Sequence, residues 1–239
     1  MARPRRRRNL TGDDLGRYGS ASAGSVDVDR AAAGLRVPKA QVREAIKQAK
    51  AAQRQVIYRA ISGRRSADVS SGTNTTGMLL AAFGRGVRGA AVNAKAAAAK
   101  LGVAVSTVRR WAAGTQQPSS THLAAVQAES RKAATTKAGR KAATDDFRTS
   151  PHGQAALVGG TSLWISGNQG PGGNVEDQYT KDRTIRQHID VEDVEAMLRA
   201  YEEGGDEGLH AWLTEVMDQK YLADWGFISI EDFGFGERP

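Results

Sequence analysis

The chain has no cysteine, so disulfides and cysteine-based zinc sites are excluded. Its four histidines, His122, His152, His188 and His210, are scattered, and no metal site is expected from them. No apolar run approaches the length that crosses a bilayer, so no membrane association is expected. Aromatic residues are only 6% of the chain and mean hydropathy is −0.48, which points to small cores. The start, MARPRRRRNL, lacks the apolar segment of a secretory signal. The expected compartment is a bacterial-type cytoplasm, in association with the nucleoid. The sequence offers no Ser/His/Asp grouping and no GKT or GKS phosphate loop, so neither a free-standing enzyme nor a bound cofactor is expected.

What the chain has in abundance is charge, unevenly placed. The formal net charge is +8. Residues 174–239 carry 17 acids and 6 bases, whereas residues 1–173 carry 28 bases and 9 acids. Such polarity suits a nucleic-acid-binding front and an acidic rear that would meet a protein partner.

Residues 94–114, AKAAAAKLGVAVSTVRRWAAG, read as a helix-turn-helix. Ala97 and Ala98 are small where two helices cross. Gly102 suits the left-handed end of the first helix. Val103, Val108 and Trp111 have the spacing that pins the second helix to the first. Val105, Ser106, Thr107, Arg109 and Arg110 are then the DNA-facing candidates, arginine being shaped to grip guanine or phosphate. Ala104 stands where many such units carry a capping Ser or Thr, so a weak cap is expected there.

Around that unit the chain reads in order. Residues 1–25 are expected as a disordered basic arm, with Arg5, Arg6, Arg7 and Arg8 available to phosphates or a minor groove. Residues 26–77 form a basic helical extension and a polar linker. Within it, residues 29–43 echo residues 95–109 at an offset of 66: Ala31, Ala32, Ala33, Leu35, Val37, Val42 and Arg43 match Ala97, Ala98, Ala99, Leu101, Val103, Val108 and Arg109. Two readings stay open, a degenerate first helix-turn-helix or one long basic helix from Pro38 to Ile61 stopped at Gly63. Residues 78–130 hold the helix-turn-helix domain. A long helix over 121–143 follows, and across residues 131–152 it is expected to project as a basic helix or linker, with Arg131, Lys132, Lys137, Arg140 and Lys141 following the DNA backbone.

Residues 153–239 are expected as an acidic α+β domain. Leu157, Val158, Leu163, Trp164 and Ile165 around Gly159-Gly160 suggest two short strands. Residues 167–174 are too glycine-rich for regular structure. Asp190 caps a helix to Tyr201, a second helix runs from about Asp206 to Lys220, and residues 227–235 alternate as a closing strand. The fold class is therefore mainly α with a small α+β C-terminal domain, a helix-turn-helix DNA-binding domain being followed by a long basic helix.

This order resembles the telomere terminal proteins of actinobacterial linear chromosomes and plasmids, with an N-terminal extension. Three stretches carry the resemblance: residues 101–143 beginning LGVAVSTVRRWAAG, RTIRQHI at 183–189 leading into EAML at 195–198, and EVMDQKYL at 215–222 leading to FISIED at 227–232. The resemblance implies a DNA-bound protein at replicon ends, acting with a telomere-binding partner protein and a DNA polymerase; self-association is left open. It also implies protein priming, in which a Thr hydroxyl attacks the α-phosphate of a deoxynucleoside triphosphate, pyrophosphate leaves, and the Thr oxygen is joined to the 5′ end of the DNA. In this family the Thr lies in a Gly-Ser-Thr-Asp-Asp stretch. Here that stretch is Gly173-Asn174-Val175-Glu176-Asp177, and Val175 has no hydroxyl. The candidate priming hydroxyls are Thr180 downstream and Ser166 upstream, with Tyr179 beside Thr180. A helix-turn-helix regulator of transcription or plasmid functions that has lost priming is the alternative.

Overall fold

The computed structural model describes residues 10–21, 23–70, 72–172 and 179–237. The first described element is a single turn, α1 (Gly12–Leu15), capped by Thr11 and Asp14, each accepting the other's backbone N–H. In α2 (Val28–Leu35) the Asp27 carboxylate accepts from the N–H groups of Asp29 and Arg30. Arg36, in the left-handed region at φ 56°, ends that helix. Pro38 then opens the 24-residue α3 (Lys39–Ser62). Together α1, α2 and the first turns of α3 enclose their own apolar cluster of Leu10, Leu15, Ala31, Ala32, Val42 and Ala45. Burial of Leu10 and Leu15 thus gives residues 10–21 a packed place, which departs from the disordered basic arm expected over 1–25. Arg5, Arg6, Arg7 and Arg8 lie outside the described residues.

Next come α4 (Thr75–Phe83), a 3-10 turn at Val87–Gly89, α5 (Ala94–Leu101) and α6 (Val105–Ala112). They are followed by α7 (Ser120–Thr135), α8 (Lys137–Thr149) and α9 (Pro151–Gly159). The sheet contains β1 (Thr161–Pro171) and β2 (Lys181–Ile189), then, after α10 (Val191–Lys220), β3 (Trp225–Phe227) and β4 (Asp232–Phe235). β1 is central. It pairs antiparallel with all of β2 on one side, from Thr161↔Ile189 to Gln169↔Lys181. On the other side it meets β4 along its first half and β3 along its second, at Ile165↔Phe233 and Gln169↔Phe227. One apolar cluster runs from Ile57 and Tyr58 of α3 through Met78, Val108 and Trp111 to Phe147, Leu163, Tyr201 and Trp225.

Several local expectations are corrected. Residues 151–159 are helical rather than a strand. Ser150 accepts from Gly153 N–H, Pro151 stands at the first position, and Gly160 ends the helix, so Leu157 and Val158 sit on α9. The glycine-rich stretch is regular as far as Pro171, because Gly167 lets β1 approach the chain after β3. A Cβ at Gly167 would lie 2.2 Å from the Ser229 carbonyl. Residues 173–178 lie outside the described residues. The strand RTIRQHI on β2 was not foreseen, and the closing strand is two short strands split at residues 228–231. The two acidic helices do follow one another, as the two arms of α10 about a kink at Gly205 (φ 63°, ψ −142°), and Asp190 caps the first through a capping box with Asp193.

The expected long helix over 121–143 breaks at Thr136, which ends α7 in extended conformation and caps α8 by accepting from Gly139 N–H. The break folds α8 back onto α3, α7 and α10. It does not project.

Candidate nucleic-acid interface

The α5–α6 pair is built as its sequence requires. The Asn93 side chain accepts from Ala96 N–H to start α5, and Gly102 at φ 66° ends it. Ala97 and Ala98 are buried at the crossing, and Val108 and Trp111 are buried on the inner face of α6. Burial of a large side chain such as Val108 contributes about 1.5–3 kcal/mol, which helps to hold an 8-residue helix that would not persist alone. The Thr76 hydroxyl donates to the Ala112 carbonyl at 2.9 Å and ties α4 to the end of α6. Ala104 starts α6 in extended conformation with no side-chain cap.

The outer face of α6 presents Ser106, Arg109 and Arg110 as exposed residues, with Val105 and Thr107 half-buried beside them. Among the described residues the Arg110 guanidinium reaches the Thr107 hydroxyl, at 3.4 Å. An open cleft runs between α6 and the loop before α5, bordered by Val87, Ala90, Lys95, Val105 and Arg109. Val87 at its rim is 87% exposed. Arg85, Arg88, Lys95 and Lys100 are also exposed around this pair. Sequence reasoning passed over these four. The signal that finds them is the absence of any Asp or Glu between Asp68 and Glu129, where the only bases are Arg85, Arg88, Lys95, Lys100, Arg109 and Arg110. Among the described residues none of the six is ion-paired.

The basic residues of α7 and α8 have a different environment. Arg140 donates to three carbonyls, Glu202 at 2.9 Å, Glu203 at 3.0 Å and Thr135 at 2.9 Å. These carbonyls lie at the end of α7 and just before the kink of α10, where helix ends leave acceptors unmatched. Lys137 pairs with Glu203 at 2.7 Å, Lys141 with Asp145 at 2.8 Å and Lys132 with Glu129 at 2.7 Å. Arg148 holds both Glu195 and Glu202. Burial opposes the charge on Glu202, yet hydrogen bonds from Thr144 and Arg148 hold its carboxyl below the usual range. Just past the kink of α10, Lys50 and Arg54 of α3 pair with Glu207 and Asp206, each at 2.8 Å. Lys132, Lys137, Arg140 and Lys141, expected to follow the DNA backbone, thus already have carboxylate or carbonyl partners within the chain, although the three lysines stay more than half exposed. Arg131 is exposed but has an interaction within the chain. Glu195, Glu202, Glu203, Asp206 and Glu207 likewise have basic partners on α3 and α8.

The two candidate hydroxyls are not brought together. Ser166 is half-buried in the central strand, opposite Thr184 on one side and Asp232 on the other, and its hydroxyl shares a 2.7 Å hydrogen bond with that of Thr184. A hydroxyl fixed between two ladders lacks the mobility expected of a priming group. Thr180 lies just before β2, about 13 Å of strand rise from the Ser166 level. Near it, Tyr179, Lys181, Arg183, Tyr221 and Trp225 line an open cleft of about 440 Å³. Tyr179 is 59% exposed, and the Arg183 guanidinium lies 5.3 Å from the Trp225 ring centroid.

Among the described residues no group of three His, Asp or Glu could hold a metal ion, and no helix is long and apolar enough to cross a membrane. Comparison with protein-family models, curated proteins and solved structures finds no match.

Proposed function

We propose that the chain binds duplex DNA through α5 and α6, used as a helix-turn-helix. The observation that carries this reading is the carboxylate-free stretch from residue 69 to 128, whose six cations surround α6 without an ion pair among the described residues. A surface of that kind gains counterion-release affinity from phosphates, and Arg109 and Arg110 add the geometry that reads guanine. Following the resemblance, the DNA is a replicon end, the partners are a telomere-binding protein and a DNA polymerase, and the priming hydroxyl is Thr180. Thr180 is favoured over Ser166 because it lies off the ladder, beside a cleft whose tyrosines offer stacking faces and whose Lys181 and Arg183 offer charge.

The test has two parts. The full chain should bind a 30-base-pair duplex at submicromolar concentration near 0.1 M salt; no binding under those conditions overturns the DNA reading. With labelled deoxynucleotide, telomeric template and host replication extract, label should join the protein, be labile to alkali and disappear in Thr180→Val. The second reading, a regulator without priming, is favoured by Val175. DNA binding without label, in an extract active with an authentic terminal protein, selects it.

A further inference from the structure

The offset of 66 seen in the sequence holds through the folded geometry, element by element. α2 at 28–35 corresponds to α5 at 94–101 with identical length. The caps correspond, Asp27 to Asn93, each accepting backbone N–H groups of its own first turn. Arg36 and Gly102 both end their helices in the left-handed region, at φ 56° and 66°. The following residues make the same bond, Val37 N–H to Ala32 carbonyl at 3.0 Å and Val103 N–H to Ala98 carbonyl at 3.1 Å. The second helices begin at Lys39 and Val105, behind Pro38 and Ala104. The buried positions coincide as well, Ala31, Ala32, Val42 and Ala45 with Ala97, Ala98, Val108 and Trp111. Even α1 falls at the centre of the segment that α4 would occupy after the same shift. Arg36 is informative, because an arginine accepts a left-handed backbone only at some cost; the turn is kept although its glycine is absent.

We infer that α2 and the first turns of α3 form a second duplex-reading unit, so that one chain takes a bipartite DNA site. The inference rests on the reading of α5–α6 given above. On the outer face of α3, Lys39, Ala40, Arg43 and Glu44 are exposed, as are Ser106, Arg109 and Arg110 on α6. The chemistry of the two faces differs. Glu44 stands where the other unit has Arg110, and a carboxylate accepts from cytosine N4 where arginine donates to guanine. Lys39 is already paired with Asp29 at 2.8 Å, and that bond holds the Asp29 carboxyl below its usual range. Asp14 and Asp27 are engaged in caps. This unit is close to neutral, so its contribution is base choice and register more than general phosphate attraction.

The spacing suits the proposal. α3 passes from the second unit to the first: Tyr58 donates its hydroxyl to the Ala81 carbonyl of α4 at 2.8 Å. From Lys39 to Tyr58 the helix rises about 28 Å. Half-sites on one face of DNA lie ~34 Å apart, one turn. A two-unit chain would thus read unlike halves without a partner copy, and its site would be asymmetric rather than palindromic.

The experiment is selection from a random 40-base-pair duplex pool with the full chain, then hydroxyl-radical footprinting and titration on the selected duplex. The expected result is two unlike motifs about one turn apart. Arg43→Ala should erase one motif, shorten the footprint on that side and weaken the selected duplex about tenfold, while an unrelated duplex loses less than twofold. Arg109→Ala should erase the other motif. Arg43 is exposed and outside the cluster of α1–α3, so its unfolding midpoint should match the parent. If Arg43→Ala leaves motif and footprint intact, or weakens selected and unrelated duplexes equally, the second unit falls while the α5–α6 reading stands. If the parent chain selects nothing, both fall.

Discussion

The arginines of α6 and those of α8 are alike in sequence and opposite in circumstance. Arg109 and Arg110 lie in a stretch without carboxylates and find no ionic partner among the described residues. Arg140 and Arg148 sit against α10, where carbonyls and glutamates satisfy their donors. The difference separates two uses of the same side chain. Where the fold supplies acceptors, arginine is a clamp: its planar fork binds several acceptors at once and fixes one helix against another. Where the fold withholds them, the donors remain for a ligand, and the ligand proposed above is DNA, whose binding to cations releases counterions. Net charge alone would have treated both groups as DNA contacts.

The largest effect should come from removing the unpaired pair. Arg109→Ala with Arg110→Ala should weaken the preferred duplex about 100-fold, since each bidentate base contact is worth ~1–3 kcal/mol. The unfolding midpoint should not move. A loss of stability together with binding would break the contrast between the helices. The converse change is Arg140→Ala. It leaves the carbonyls of Thr135, Glu202 and Glu203 without their donor, and chemical denaturation should show a loss of about 2 kcal/mol. Duplex affinity of the folded variant should change less than threefold. A larger fall would return α8 to the DNA surface.

Acid should act on the clamp before it acts on the reader. Burial lowers the His210 imidazole below its usual value, so the stability it contributes is complete above about pH 6.5 and declines as pH falls through the folded value. Glu202, Glu207 and Asp190, held low by Thr144 and Arg148, by Lys50 and by Lys220, keep their contribution above the usual carboxylate range and lose it at lower pH still. Asp206 has the opposite sign, because burial raises it even beside Arg54. Urea midpoints should therefore fall from pH 7 to pH 4, while duplex affinity of the folded protein stays level, arginine being charged throughout. The smallest effect is a gain. Ala104→Ser supplies the missing cap of α6 and should raise stability by about 1 kcal/mol, measured by thermal unfolding, without weakening DNA binding.

The α5–α6 pair was legible because its determinants are local: two alanines at a crossing, a glycine at a turn and three apolar anchors within 21 residues. Of the two readings open for residues 29–61, the long basic helix stopped at Gly63 is α3 itself, while the echo at 29–43 holds at the level of the backbone and was obscured by Arg36 in place of glycine. The fate of Lys137 and Arg140 was not legible. It depends on Glu202 and Glu203, more than 60 residues away, and a charged helix with few large apolar residues reads as solvated unless its partners are known. Helix α9 was missed because Leu157, Val158 and two glycines imitate a strand and turn; Ser150-Pro151, a cap followed by a first-turn proline, was the stronger signal. Ser166 illustrates a third limit. Its hydroxyl is in the sequence, but only the pairing of β1 with β2 and β4 shows that it is held in place.

The most direct test is the salt dependence of duplex binding, measured by fluorescence anisotropy for the parent chain and for the combined variant Lys95→Ala, Lys100→Ala, Arg109→Ala, Arg110→Ala. If the unpaired cations around α6 hold the phosphates, the slope of log K against log salt should become shallower by three to four, about 0.9 for each cation removed. An unchanged slope would mean that the phosphates are held elsewhere, and would contradict the assignment of α5 and α6 as the DNA-binding face.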